Sequence, residues 1–265
     1  MTYADVNGIK LHYEIHGTGR PLILLHGGLG ATEMFGPNLP ALAKGRQVIG
    51  VDLQSHGRTA DVDRPLSAEL MAGDIAALIK HLKLERPDIM GYSLGGGVAF
   101  FVALRHPELV GDLVIVSTPF RRDAFYPDIL AQQGHVTAEA AEAMKQTPMY
   151  ELYARLAPRV EDWPRLLQKI GESMALDFDF TKDVARIEAR TMIVAGDADI
   201  FPPAHAVEVF GLLGGGKQDG GWDGSGRPKS RLAILPGVTH YAMGVAPALA
   251  PTVIAFLDEP TATGR

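Results

Sequence analysis

The residues of this chain best suited to chemistry are a serine, an aspartate and a histidine that occur in that order at wide spacing. Ser93 lies in Gly91-Tyr92-Ser93-Leu94-Gly95, between the apolar pair Ile89-Met90 and a stretch with helical periodicity. Glycine on both sides lets a strand-to-helix turn hold the serine in strained backbone geometry with its hydroxyl free. Out of context, the five residues describe a glycine-rich turn with an N-capping serine. The strand before and the helix after favour a nucleophile. A serine hydroxyl also needs a base within hydrogen-bond reach, and the base needs an acid to orient it.

Nine histidines compete for the role of base. His240 follows the apolar run Leu232-Ala233-Ile234-Leu235 and the turn Pro236-Gly237, which puts it at a strand's carboxyl end, where Ser93 is also expected. His106 precedes Pro107 at a helix end, His81 and His205 fall in helical stretches, and His12 and His16 lie on a strand, so surface or capping roles suffice for these five. His12 and His16 share a strand face but stand ~13 Å apart, too far to hold one metal ion. No metal site and no cofactor are expected. For the acid, Gly196-Asp197-Ala198-Asp199 follows Met192-Ile193-Val194 and offers two carboxylates. The preceding strand ends in Ser117-Thr118-Pro119 and offers none. His26-Gly27-Gly28-Leu29-Gly30, after Leu22-Ile23-Leu24-Leu25, reads as a tight turn whose free backbone N–H groups suit an oxyanion. With the N–H of Leu94, that of Gly28 would meet the negative charge of a tetrahedral intermediate.

These groups converge only if the intervening elements bring them to one edge. Ile9, Leu11, Tyr13 and Ile15 alternate after the Asn7-Gly8 turn, as in the second strand of a hairpin. The short continuous apolar runs at 22–25, 48–51, 89–90, 113–116, 192–194 and 232–235 read as strands buried on both faces. Between them, Leu70, Ile75, Leu78, Ile79 and Leu82 recur at helical spacing after a Ser67 N-cap, and Val98, Phe101, Val102 and Arg105 continue a second helix. The expected fold is α/β: a mainly parallel eight-stranded sheet with helices on both faces, its ligands beyond the carboxyl ends of the strands. The alternation stops between Phe120 and Val184, a stretch rich in Ala, Glu, Met and aromatic residues, read as an inserted helical cap. The chain therefore divides into core (1–120), cap (121–185) and core (186–265).

The sequence has 265 residues, a net charge of -6, no cysteine and no basic cluster. Thiol chemistry and disulfides are excluded, and no nucleic-acid partner is expected. No signal-like start or membrane-length apolar run is read, so the expectation is a cytoplasmic protein with no membrane partner. The glycine-rich stretch 214–226 is read as a flexible loop at the amino ends of the strands, with Trp222 serving packing or a subunit contact. Gly211 through Lys217 approaches a phosphate-binding loop, but Gln218 stands where Ser or Thr is required.

Taken together, His26-Gly27-Gly28, Gly91-Tyr92-Ser93-Leu94-Gly95, Asp199 and His240 resemble the α/β-hydrolase fold family in order and strand context, over nearly the whole chain. The stretch from Val51 to Thr59 is also similar to a structural loop of that family, though glycine is commoner where Ser55 stands. The resemblance implies a serine hydrolase with a helical cap, and selects Asp199 over Asp197 as the acid. It implies a substrate pocket roofed by the cap, for which Tyr126, Met149, Tyr150, Tyr153, Trp163, Phe178 and Phe180 are the candidates. The expected reaction is cleavage of a small carboxylic ester through an acyl-enzyme, with lactone or carbon-carbon bond hydrolysis as alternatives. A small-molecule receptor that retains the triad is the alternative of another class.

Overall fold

A computed structural model describes residues 2–260; Met1 and residues 261–265, the outer ends of the two expected core segments, lie outside the described residues. Its strands are β1 (Thr2–Val6), β2 (Ile9–His16), β3 (Arg20–Leu25), β4 (Arg46–Val51), β5 (Asp88–Tyr92), β6 (Asp112–Val116), β7 (Arg190–Ala198) and β8 (Arg231–Thr239). They form one eight-stranded sheet in the order β1-β2-β4-β3-β5-β6-β7-β8. Pairings β1–β2 and β2–β4 are antiparallel and all the others parallel. This is the α/β sheet expected from the alternation of runs.

The helices are α1 (Asn38–Ala43), α2 (Ala68–His81), α3 (Leu94–Arg105), α4 (Pro127–Gln133), α5 (Ala141–Met144), α6 (Pro148–Leu156), α7 (Trp163–Ala175), α8 (Thr181–Val184), α9 (Pro203–Leu212) and α10 (Leu249–Leu257). Ser67 caps α2 by accepting from the Leu70 N–H. The strand runs lack polar alternation because each face of the sheet is covered. On β3, Ile23 and Leu25 join one buried cluster with Leu78 and Ile79 of α2 and Val98 and Val102 of α3. Leu22 and Leu24, one residue out of phase, join another with Leu42 of α1 and Val253 and Phe256 of α10.

Helices α4 to α8 all lie between β6 and β7. In α7, Trp163, Leu166, Leu167 and Ile170 are buried at helical spacing, so this helix has one apolar face turned inward. Trp163 is 1% exposed and donates its indole N–H to the Ala141 carbonyl, while Tyr150 and Tyr153 lie ring to ring with it at 5.4 and 5.1 Å. Trp163 and Tyr153, expected to face a substrate, instead form the interior of this helical segment and present almost no surface. Two histidines also differ from expectation. His12 is buried with Nδ1 3.1 Å from Asp52, and His205 is buried, accepting from the Phe120 N–H and pairing with Glu208. Trp222 is fully exposed rather than packed. No helix among the described residues is long and apolar enough to cross a membrane.

Candidate active site

Each residue that the sequence singles out for catalysis stands at the carboxyl end of a parallel strand. Ser93 follows β5, Asp199 follows β7, His240 follows β8 and the His26-Gly27-Gly28 turn follows β3. Ser93 has φ 53° and ψ -115°, a conformation costly for a residue with a Cβ, and its side chain caps no helix N–H. The turn is so tight that a Cβ on Gly91 would stand 2.1 Å from the Gly95 carbonyl oxygen, and one on Gly95 2.5 Å from that of His26. Glycine at both flanks is therefore a requirement of the chain path.

The Ser93 hydroxyl lies 3.1 Å from His240 Nε2, and His240 Nδ1 lies 2.8 Å from Asp199 Oδ1. An ionised carboxylate only accepts hydrogen bonds, so Nδ1 carries the proton and Nε2 faces the serine as an acceptor. Asp199 and His240 are 7% and 8% exposed, whereas Ser93 is only partly covered. Burial alone would raise the Asp199 pKa. Hydrogen bonds from His240, Ser117 and the Ile200 N–H outweigh it and hold the carboxyl below its ordinary value. Asp197, the alternative acid, is exposed and accepts from the Gly237 N–H, bracing the irregular pairing of β7 with β8.

The oxyanion candidates lie beside the serine. A Cβ on Gly27 would stand 3.4 Å from Ser93 Cβ. Among the described residues the N–H groups of Gly28 and Leu94 donate to no other group. Ile170 of α7 hangs over Gly28, its Cδ1 3.6 Å from where a Cβ would be.

Several contributors have no signal in the sequence. Tyr92, buried, donates its hydroxyl to the His240 carbonyl at 2.7 Å and lies 5.2 Å from the imidazole, ring to ring. Burial, with the Asp199 charge and Tyr241 adding to it, pushes the Tyr92 pKa up, so this donor stays protonated. Ser117 donates to Asp199 Oδ2 at 2.5 Å. Of the candidate pocket residues, Tyr126 is 40% exposed and joined through its N–H to the Ile200 carbonyl, next to the acid. Met149 is exposed on α6, and Tyr150 packs in the helical segment. Phe178 stacks on Phe180, which reaches Phe101 of α3.

Residues 20–147 match a family model described as alpha/beta hydrolase fold. A protein named "Putative carbamate hydrolase RutD" from Azorhizobium caulinodans is 28% identical over 93% of this chain and 94% of its own length. Its namesake from Rhizobium rhizogenes is 36% identical, but over 43% of this chain and 45% of its own length. Among solved structures, the enol-lactonase from Burkholderia xenovorans LB400 superposes with a TM-score of 0.74 at 23% identity, covering 97% of this chain and all of that one. Sheet order, family match and superposition agree on the architecture: the chain has the α/β-hydrolase fold.

Proposed function

We propose that this protein is a serine hydrolase that cleaves small carboxylic esters through an acyl-enzyme intermediate. The observation that carries the reading is the unbroken hydrogen-bonded chain Ser93–His240–Asp199, with a strained, partly accessible serine at one end and a buried ionised carboxylate at the other. His240 Nε2 takes the hydroxyl proton as Ser93 Oγ bonds to the carbonyl carbon. The N–H groups of Leu94 and Gly28, without other acceptors among the described residues, receive the developing oxyanion. His240 then protonates the leaving alcohol as the C–O bond breaks, and water, activated by the same imidazole, releases the acid. Asp199 stays ionised throughout and holds the imidazole's tautomer.

Any carbonyl with a leaving group suits this machinery. The relative that matches nearly the whole chain bears the name of a carbamate hydrolase, so carbamates stand beside esters, lactones and vinylogous carbon-carbon substrates as acceptors. The test is release of p-nitrophenol from short and medium acyl esters by wild-type and Ser93→Ala protein, followed by kcat/KM on lactone, carbamate and carbon-carbon panels. Sustained ester turnover that falls at least about a thousandfold in Ser93→Ala is the expected result. Turnover equal in the two proteins would refute the assignment of Ser93, and a higher kcat/KM on another panel would refute the ester class. A single burst of product without turnover would favour a triad-bearing receptor.

A further inference from the structure

The acid of this site is held from a neighbouring strand. Its Oδ1 accepts from His240 Nδ1 and from the Ile200 N–H, each at 2.8 Å; its Oδ2 accepts from the Ser117 hydroxyl at 2.5 Å and the Gly196 N–H at 3.2 Å. Gly196 and Ile200 belong to the acid's own turn and move with it. Ser117 does not: it is the first residue after β6, fully buried, and its N–H donates to the Val194 carbonyl of β7 at 2.8 Å. Facing a carboxylate that only accepts, its hydroxyl has one role, that of donor. The backbone at Ser117 is held at positive φ, 50°. The next residue repeats the arrangement on the nucleophile, Thr118 Oγ1 lying 3.0 Å from the Ser93 carbonyl and 3.0 Å from that of Val116.

We infer that Ser117 is a positioning residue of the triad, fixing the Asp199 carboxylate against β6 so that Oδ1 stays aimed at the imidazole. This rests on the reading of Ser93, His240 and Asp199 as the catalytic groups. Without the hydroxyl, Oδ2 keeps only the long bond to Gly196, and the carboxylate is free to rotate away from Nδ1. A carboxylate turned away from Nδ1 no longer orients the imidazole and holds its protonated form less tightly. Two phenols also face His240 among the described residues, Tyr92 and Tyr241, with ring centroids at 5.2 and 5.8 Å.

The test needs no natural substrate. A fluorophosphonate reacts as Ser93 Oγ bonds to phosphorus, the P–F bond breaks, fluoride departs and the serine proton passes to His240. The labelling rate is measured from about pH 5 to 9 by intact mass for wild type, Ser93→Ala, Ser117→Ala and Ser117→Gly, the last tolerating the left-handed backbone. The expected result is a plateau rate about tenfold lower in both Ser117 variants, with the acidic limb moved to lower pH. Both variants labelling at the wild-type rate with an unmoved limb would overturn the inference while leaving the triad intact. Absence of labelling on wild-type Ser93 would instead remove the reading beneath it.

Discussion

At the scale of single residues, the site is held by hydroxyl groups that do no chemistry themselves. Tyr92 shows how. It occupies the unspecified second position of the serine motif, and its hydroxyl reaches 148 residues along the chain to the His240 carbonyl. Tyr92→Phe removes a buried donor and leaves that carbonyl to find another. The expected cost is about 1–2 kcal/mol, read from the urea midpoint, with a several-fold fall in kcat and little change in KM. An unchanged kcat would show that the loop carrying His240 is held without it. Ser55 is a second instance. It is buried at φ 65°, a conformation that favours glycine, and its hydroxyl donates to Asp61 at 2.5 Å.

At the scale of elements, α7 joins the helical segment to the sheet and reaches the site with adjacent residues. Ile170 lies over Gly28, while Lys169, nearly buried, donates to both Asp61 oxygens at 2.8 and 2.7 Å and to the carbonyls of Val62 and Arg64. Burial alone would raise the Asp61 pKa; Lys169, Ser55 and Gln54 lower it overall. The carboxylate therefore contributes stability above the ordinary aspartate range, and loses it as pH falls through its lowered value. Lys169→Met strands a buried carboxylate with Arg165, 2.7 Å away, as its remaining cation among the described residues. The expected loss is roughly 2 kcal/mol, with faster proteolysis between residues 121 and 185 and a raised KM from a loosened Ile170. Unchanged proteolysis would mean that the apolar face of α7 docks the segment alone.

At the scale of the whole molecule, stability in acid is limited by imidazoles folded in as neutral rings. His26 and His56 are fully buried, 5.2 Å apart ring to ring, and both have lowered pKa values. Burial is the main cause for each, with repulsion from His26 adding at His56, which falls to about 3. His26 Nε2 accepts from the Leu53 N–H, a role open only to the neutral ring. Between about pH 6.5 and 3 the unfolded chain binds protons that the folded one refuses, so stability falls as pH falls. The lowered carboxyls of Asp52, Asp61 and Asp199 act in the same direction at the acid end. Urea midpoints are expected to drop steadily from about pH 6.5 to 4. His56→Asn, which can still donate to the Gln54 carbonyl, should flatten that slope by up to about 1.4 kcal/mol per pH unit. A wild-type midpoint constant over this range would contradict the buried neutral state.

What the sequence determined by itself is what depends on neighbours along the chain. Strands covered on both faces read as unbroken apolar runs, and a strand-to-helix turn needs glycine beside its serine, so the eight-stranded sheet and the setting of Ser93 were legible. The order of strands across the sheet was not, and it decides everything that passes between them. Because β6 lies beside β7, Ser117, legible only as a strand end without an acid, becomes the donor to Asp199, 82 residues away. Because α7 folds back over the sheet, Ile170 meets Gly28, while Trp163 and Tyr153, whose aromatic character suggested a pocket, are enclosed within the helical segment. His12 likewise reads as a surface strand residue until Asp52, 40 residues later, is brought against it. Periodicity along a chain records which face of an element is covered; it carries no record of what covers it, and only the tertiary structure supplies those partners.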